Sequence, residues 1–425
     1  MKLLIKNGRV VDPSQDLDDT RDVLIVEGKI AKIDASIPEA GAQVLQAVGR
    51  VIAPGFIDMH VHLREPGYED KETIRTGCAA AAAGGFTSIC CMPNTNPVND
   101  SRAVTEYILA RAREEGAVNV YAIGAITRGS QGDLLSEIGD LRAGGCVAIS
   151  DDGKPVSNAL IMRRALEYAG MWKMPVIDHC EDLNLAENGV MHEGYYSTVL
   201  GLKGIPGMSE DVMVQRNILI ASATGQHVHI AHLSTAGAIA AVREAKRRGV
   251  HITCEVAPHH FALTDKDVSS YDTSTKMKPP LRSEEDRQAL LAALKDGTVD
   301  CIATDHAPHT YDEKNVEYDY APFGIVGLET AVSLSLDRLV HSGLISMTRL
   351  VGLLSTNPAR ILGLKGKGSL RIGSDADVTL LNPQRKITVD ADRFRSKGRN
   401  TPFNGWKLKG APAATIVAGK IVWQE

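Results

Sequence analysis

The chain has 425 residues, 44% of them hydrophobic and 23% charged, with 47 basic against 52 acidic side chains for a net charge of −5. That length allows one large and one smaller domain around a sizeable core. The charge balance leaves no basic footprint for nucleic acid and no polybasic membrane patch, and no apolar run approaches the ~20 residues that span a bilayer.

In chain order, residues 1–53 read as short strands joined by tight turns at Lys6-Asn7-Gly8, Glu27-Gly28-Lys29 and Val48-Gly49-Arg50. The opening Met1-Lys2-Leu3-Leu4-Ile5 is too short an apolar stretch for a signal peptide. Then one pattern repeats: a β-branched run, a turn and an amphipathic stretch. The candidate strands are 55–63, 86–92, 119–126, 146–150, 175–180, 228–233, 251–257 and 301–305. The helical patterns between them include 101–115 (Ser101 as N-cap, Gly116 as terminator), 157–170, 209–224, 236–248 and 284–296. Strands buried on both faces and alternating with helices imply a parallel sheet. Eight such units predict a closed (β/α)8 barrel of the TIM type over residues 54–366; an open doubly wound sheet is the second choice. Residues 367–425 return to short strands and turns at Ile372-Gly373-Ser374 and Ala418-Gly419-Lys420. Neither end is large enough for a core alone, so residues 1–53 plus 367–425 are expected to form one small composite β-sandwich.

The seven cysteines include no Cys-x-x-Cys pair and mostly sit in apolar runs. They read as reduced, mostly buried thiols, Cys180 and Cys254 included, and place the protein in the cytoplasm.

The most informative stretch is Gly55-Phe56-Ile57-Asp58-Met59-His60-Val61-His62-Leu63-Arg64. Side chains alternate along a strand, so His60, His62 and Arg64 are expected on one face and Met59, Val61 and Leu63 on the other. Two imidazoles two residues apart can grip one metal ion, and an arginine beside them can hold an anionic group. Paired histidines on a strand are more often ordinary core or surface residues, and the rest of the chain decides between the readings. In such a barrel, chemistry gathers at the C-terminal strand ends. Those ends carry His60 and His62, Asp151-Asp152, Asp178-His179-Cys180-Glu181, His232, and Asp305-His306. Four histidines and two aspartates make two sites suited to Zn²⁺, with Mn²⁺ or Fe²⁺ as alternatives. Ions in such sites acidify water, and an aspartate can move its proton. By strand phase His232 faces the site, whereas His229 faces the helices in a structural role. Only one of Asp151 and Asp152 can face the metals, and phase alone leaves that choice open. His259-His260 follows a strand but is surplus to two filled sites. Gly363-Leu364-Lys365-Gly366-Lys367-Gly368 lacks P-loop spacing and reads as a helix end and turn.

At this point the chain resembles the cyclic amidohydrolase superfamily and, within it, the bacterial type I dihydroorotases. The motifs are Gly55 to Gly67, Met92-Pro93-Asn94-Thr95, Ser150-Asp151-Asp152-Gly153, Asp178-His179-Cys180-Glu181, His232-Leu233-Ser234-Thr235 and Ala303-Thr304-Asp305-His306-Ala307-Pro308-His309. The resemblance implies reversible cyclisation of N-carbamoyl-L-aspartate to L-dihydroorotate with a metal-bound hydroxide, in pyrimidine biosynthesis. It assigns His60, His62 and Asp305 to one metal, His179 and His232 to the second, and Asp152 to a bridge. It makes Asp305 the general acid/base. His62, Arg64, Asn94, His309, Phe323 and Gly324 become substrate contacts. Zn²⁺ is the implied cofactor, one or two per subunit. The implied partners are a carboxylate-bearing substrate, a second copy in a homodimer, and aspartate transcarbamoylase in a larger assembly.

Two departures stand out. Many hydantoinases and allantoinases bridge their metals with a carboxylated lysine, and 147–152 contains none. Where the family commonly has an asparagine before Pro-Pro-Leu-Arg, this chain has Lys278. Lys278 is a candidate substrate contact, and a turn away from the site is equally open. A hydantoinase- or allantoinase-type enzyme is the alternative function; a non-catalytic partner of the transcarbamoylase is a further one, disfavoured because all six ligand positions are filled. The acidic and tyrosine-rich stretch 309–322 is placed to cover the site as a lid.

Overall fold

The computed structural model describes residues 2–425. Two eight-stranded sheets organise it. The first is built from both termini: β1 (Lys2–Asp12), β2 (Leu17–Val26), β3 (Lys29–Asp34), β4 (Gln43–Gln46) and β5 (Val51–Pro54) join the last three strands of the chain, β16 (Val378–Thr388), β17 (Lys407–Val417) and β18 (Lys420–Gln424). They run in the order β18-β17-β16-β5-β1-β2-β3, with β4 added beside β1. The sheet carries its own apolar cluster, in which Leu3, Ile5, Val23 and Ile25 meet Val378, Leu380 and Ile416. Neither terminus buries its apolar face without the other. The Asn7-Gly8 turn expected from the sequence is not a turn. Asn7 takes a left-handed backbone (φ 60°) and makes a bulge inside β1, where the register with β2 shifts between Ile5 and Gly8.

The second sheet is the barrel: β6 (Phe56–Val61), β7 (Phe86–Cys91), β8 (Asn119–Gly124), β9 (Ala148–Ile149), β10 (Val176–Asp178), β13 (Val228–Ile230), β14 (Ile252–Val256) and β15 (Cys301–Ile302). A two-residue pair, β11 (Met191–His192) with β12 (Gly204–Ile205), sits in the excursion after β10. All barrel pairings are parallel and in chain order. Closure comes just past β15, where the His306 carbonyl accepts the His62 N–H at 2.9 Å and Val61 bridges His306. The eight expected strands are all present, though several are only two or three residues long.

Helices cover the outside, including Arg102–Glu115, Ala159–Gly170, Met208–Thr224, Ala236–Arg247 and Glu284–Asp296. Ser283 caps the last of these by accepting the Asp286 N–H, with Glu284, Glu285 and Asp286 in the first turn. Ser101 occupies the cap position of its helix, but its side chain makes no capping bond. The helices pack on the outward strand residues in one large cluster. A separate cluster fills the barrel interior with Met59, Cys90, Ile123, Ile177 and Cys301. All seven cysteines are buried and free. Burial pushes the Cys254 thiol up to about 12, which makes it a core side chain rather than a nucleophile. Among the described residues, no helix is long and apolar enough to cross a membrane.

Candidate metal centre

Five strand ends deliver six donors to one point. His60 lies in β6 and His62 just beyond it, while Asp152, His179, His232 and Asp305 follow β9, β10, β13 and β15. Each is at most 5% exposed. Their ligand atoms fall into two groups that share Asp152: His60, His62, Asp152 and Asp305, and Asp152, His179 and His232, each within 4.8 Å. Asp152 Oδ2 is 3.2 Å from His60 Nε2 and 3.4 Å from His62 Nε2; its Oδ1 is 3.5 Å from His232 Nε2 and 3.7 Å from His179 Nδ1. Asp305 Oδ1 lies 3.0 Å from His62 Nε2 and 3.5 Å from His60 Nε2. Asp151 turns the other way and accepts the Thr127 N–H at 3.0 Å.

The sequence phase was wrong in two places. The β6–β7 register shifts between Asp58 and Val61, so Met59 points into the barrel interior although its expected face was the one shared by Val61 and Leu63. In β13, Val228 and Ile230 face the helices, and His229 faces inward, bonded to Thr253 and Glu255. His232 reaches the site past the strand end, on a left-handed backbone (φ 32°). Asp305 (φ 48°) and Arg64 (φ 62°) do the same. Three non-glycine residues in this costly region, ~1–3 kcal/mol each, cluster at the rim.

Two buried atoms in the middle of the donors, His60 Nε2 and Asp152 Oδ1, have no hydrogen-bond partner. Buried polar atoms are rarely left so. Burial disfavours the charged form of both residues, yet each is held charged by the other. Asp152, Asp305 and Glu255 raise His60 well above the ordinary imidazole range. The imidazoles of His60, His179 and His232 hold Asp152 well below the carboxylate range. Borderline nitrogen and hard oxygen donors, buried, mutually strained and orphaned, fit divalent cations held at ~2.0–2.2 Å.

Over the donors lies a cavity of ≈ 350 Å³, lined also by Arg64, Asn94, Lys278, His309, Phe323 and Gly324. Arg64 spends only Nε within the chain, on the Pro308 carbonyl at 3.3 Å. Asn94 Oδ1 sits 2.8 Å from His62 Nδ1, leaving Nε2 toward Asp305 and Asp152. His309 spans Phe323 O (2.9 Å) and Glu313 Oε2 (3.1 Å). Gly324 (φ +152°) lies so close to the Ala307 carbonyl and the His309 ring that a Cβ would stand 2.7 and 2.9 Å from them. Lys278 pairs with Glu181 at 2.8 Å on the cavity wall. His259 and His260 are buried outside both ligand groups, with His260 Nε2 3.0 Å from the Pro279 carbonyl.

Of the stretch 309–322, the two ends, His309 and Pro322, line the cavity. Two buried lysines fasten the stretch: Lys276 donates to Tyr318 O and Asp319 O, and Lys314 to Thr273 O and Pro322 O. Sequence reading missed Asn400. This 4% exposed side chain arrives from the chain between β16 and β17, accepts the His309 N–H at 3.1 Å and donates to Ala307 O and Gly324 O. It also missed Glu255. Neither residue lies in a metal-ligand motif, and only folding brings them to the site.

Residues 49–238 match the Dihydro-orotase-like family and residues 214–423 the Amidohydrolase family. The chain is 60% identical over 425 residues to a dihydroorotase of Pelotomaculum thermopropionicum, covering 100% of this chain and 99% of that one. It is 55% identical over 428 residues to a dihydroorotase of Syntrophus aciditrophicus, covering 100% of both. In structure it resembles an L-hydantoinase (dihydropyrimidinase) from Arthrobacter aurescens, with TM-score 0.91, 25% identity and coverage of 99% and 96%. A dihydropyrimidinase from Brevibacillus agri, at TM-score 0.88, 23% identity and coverage of 100% and 95%, shares the fold. The chain therefore belongs to the dihydroorotase family, enzymes of the metal-dependent cyclic amidohydrolase kind.

Proposed function

We propose that the cavity above the six donors is where this chain interconverts N-carbamoyl-L-aspartate and L-dihydroorotate, a step of pyrimidine biosynthesis, and that Zn²⁺ is its metal, with Mn²⁺ as a substitute. The observation that carries the reading is the meeting of orphaned, buried metal-type donors with an under-used arginine in one cavity. His60, His62 and Asp305 would hold one ion, His179 and His232 a second, with Asp152 between them. Bound there, divalent cations supply Lewis acidity, lowering the pKa of water and polarising an amide carbonyl.

The protein's own groups do the rest. Arg64 offers a planar fork to the substrate carboxylate, and Asn94 and His309 complete that side of the cavity. Asp305 accepts a proton from the attacking water on ring opening and delivers it to the departing ring nitrogen; ring closure reverses the transfer. Phe323 and Gly324 present backbone to the substrate ring. Lys278 meets the substrate only by leaving Glu181, so it is the weakest of the assigned contacts.

The domain division proposed is 1–53 plus 367–425 and 54–366, and the terminal sheet's own apolar cluster, drawn only from residues 3–52 and 370–416, supports it. The assembly proposed is a homodimer in the cytoplasm, able to associate with aspartate transcarbamoylase. Turnover assays with dihydroorotate, hydantoin and allantoin test the substrate assignment. Dihydroorotate should be preferred by orders of magnitude, and turnover of hydantoin or allantoin alone would replace the reading with the hydantoinase alternative.

A further inference from the structure

We infer that Glu255 and His229 are positioning residues that fix the ring tautomer of His60 through a buried hydrogen-bonded chain crossing the barrel interior. The inference rests on the reading of His60 as a metal ligand. The chain begins at His60, whose Nδ1 lies 2.7 Å from Glu255 Oε1. Glu255 Oε2 lies 3.2 Å from His229 Nε2. His229 Nδ1 is 2.7 Å from Thr253 Oγ1, and the same hydroxyl is 2.8 Å from His227 Nε2. His227 stacks on His251 at 4.3 Å and 9°, by the lower mouth of the barrel beside Lys173 and Arg360. His60, Glu255 and His229 are at most 1% exposed, and Thr253 is 6% exposed.

Strand geometry builds this line. Thr253 and Glu255 are two apart on β14, so both face the interior. His229 on β13 is registered directly against Thr253, and Glu255 against Cys301.

Only one arrangement of hydrogens satisfies every link while leaving Glu255 ionised and the imidazoles neutral. His227 Nε2–H donates to the Thr253 oxygen, whose O–H donates to His229 Nδ1. His229 Nε2–H and His60 Nδ1–H then both donate to the Glu255 carboxylate. His60 is thereby left with its Nε2 lone pair directed at Asp152 and Asp305, the form that can bind a metal. In the neutral, metal-binding form of His60 the one ring proton stays at Nδ1, held there by Glu255.

Breaking the chain should weaken metal binding even where no ligand is touched. Competition of Zn²⁺ binding against a chromophoric chelator, with the visible spectrum of the Co²⁺-loaded protein, provides readouts besides activity. Glu255→Gln should lower affinity about 10- to 100-fold and shift the Co²⁺ spectrum. Thr253→Val, two links from the metal, should lower affinity about 3-fold, and Thr253→Ser should restore it by keeping the hydroxyl. Wild-type affinity in both Glu255→Gln and Thr253→Val overturns the inference. Should Glu255→Gln not fold, the Thr253 pair decides alone, since equal affinity in Val and Ser variants overturns it and a loss only in Val supports it. A wild-type protein that binds no divalent metal sinks the metal-centre reading instead.

Discussion

The terminal sheet and the barrel rim both bury carboxylates, and they treat them in opposite ways. In the terminal sheet, Asp12 accepts from the Ser14 and Leu370 N–H groups and from Gln15, tying the two ends of the chain together. Asp22 accepts from the Asn7 and Ile37 N–H groups. At the rim, Asp152 and Asp305 face imidazoles rather than backbone donors, and Asp152 keeps an orphaned oxygen. Among the described residues, every buried side-chain atom without a partner falls between Asp58 and Ser333; none belongs to the terminal sheet. Local backbone donors make a buried carboxylate structural. Convergence of carboxylates and imidazoles from distant strands, with bonds left unmade, marks a place prepared for something else.

That contrast can be broken or sharpened by substitution. Asp305→Asn should reduce kcat by about 10³-fold or more with the folded state intact; steady-state rates alongside circular dichroism check both halves, and wild-type rates would remove Asp305 from the chemistry. Arg64→Ala should raise KM about 10- to 100-fold, the loss of a charged hydrogen-bonded pair, with metal content unchanged; an unaltered KM would refute the carboxylate contact. Asn400→Ala should raise KM about 10-fold by releasing His309 and Gly324, and should cost ~1–3 kcal/mol through the unpaired groups left behind. Asp12→Ala should do the reverse of the rim variants, lowering stability by about 2 kcal/mol in denaturant melts and leaving kcat alone.

The smallest effect concerns Glu329, on the seam between the barrel and the incoming segment 395–400. Burial pushes its carboxyl up to about 7 although Oε1 accepts the Arg395 and Ser396 N–H groups. Between about 4.5 and 7 the folded state then binds the proton that the unfolded state has lost. The contribution of Glu329 to stability therefore falls as pH rises through that window. Glu329→Gln keeps an acceptor for both N–H groups and should flatten the decline; equal pH slopes in thermal melts would contradict this.

Much of the fold was legible because the eight apolar runs are punctuated by turn residues and separated by amphipathic stretches. The composite terminal sheet was legible because neither end carries enough apolar residues for a core. The six donors could be picked out because each sits at a strand end. Side-chain phase was not legible where backbone irregularity decides it. A register shift turns Met59 inward, and left-handed conformations at Arg64, His232 and Asp305 break strict alternation, which no period-two count detects. His229 was misplaced for the same reason. Asn400 and Glu255 were invisible because their partners lie 91 and 195 residues away in the chain, and nothing local distinguishes them from an ordinary turn asparagine or strand glutamate.

The most direct measurement is a titration of Zn²⁺ into chelator-stripped protein, counting bound metal per chain against dihydroorotate turnover, with Asp152→Asn in parallel. Turnover should rise with bound metal and reach its plateau by two ions per chain, and Asp152→Asn should recover neither full binding nor rate. Full turnover from metal-free protein, or a wild-type response from Asp152→Asn, would contradict the account.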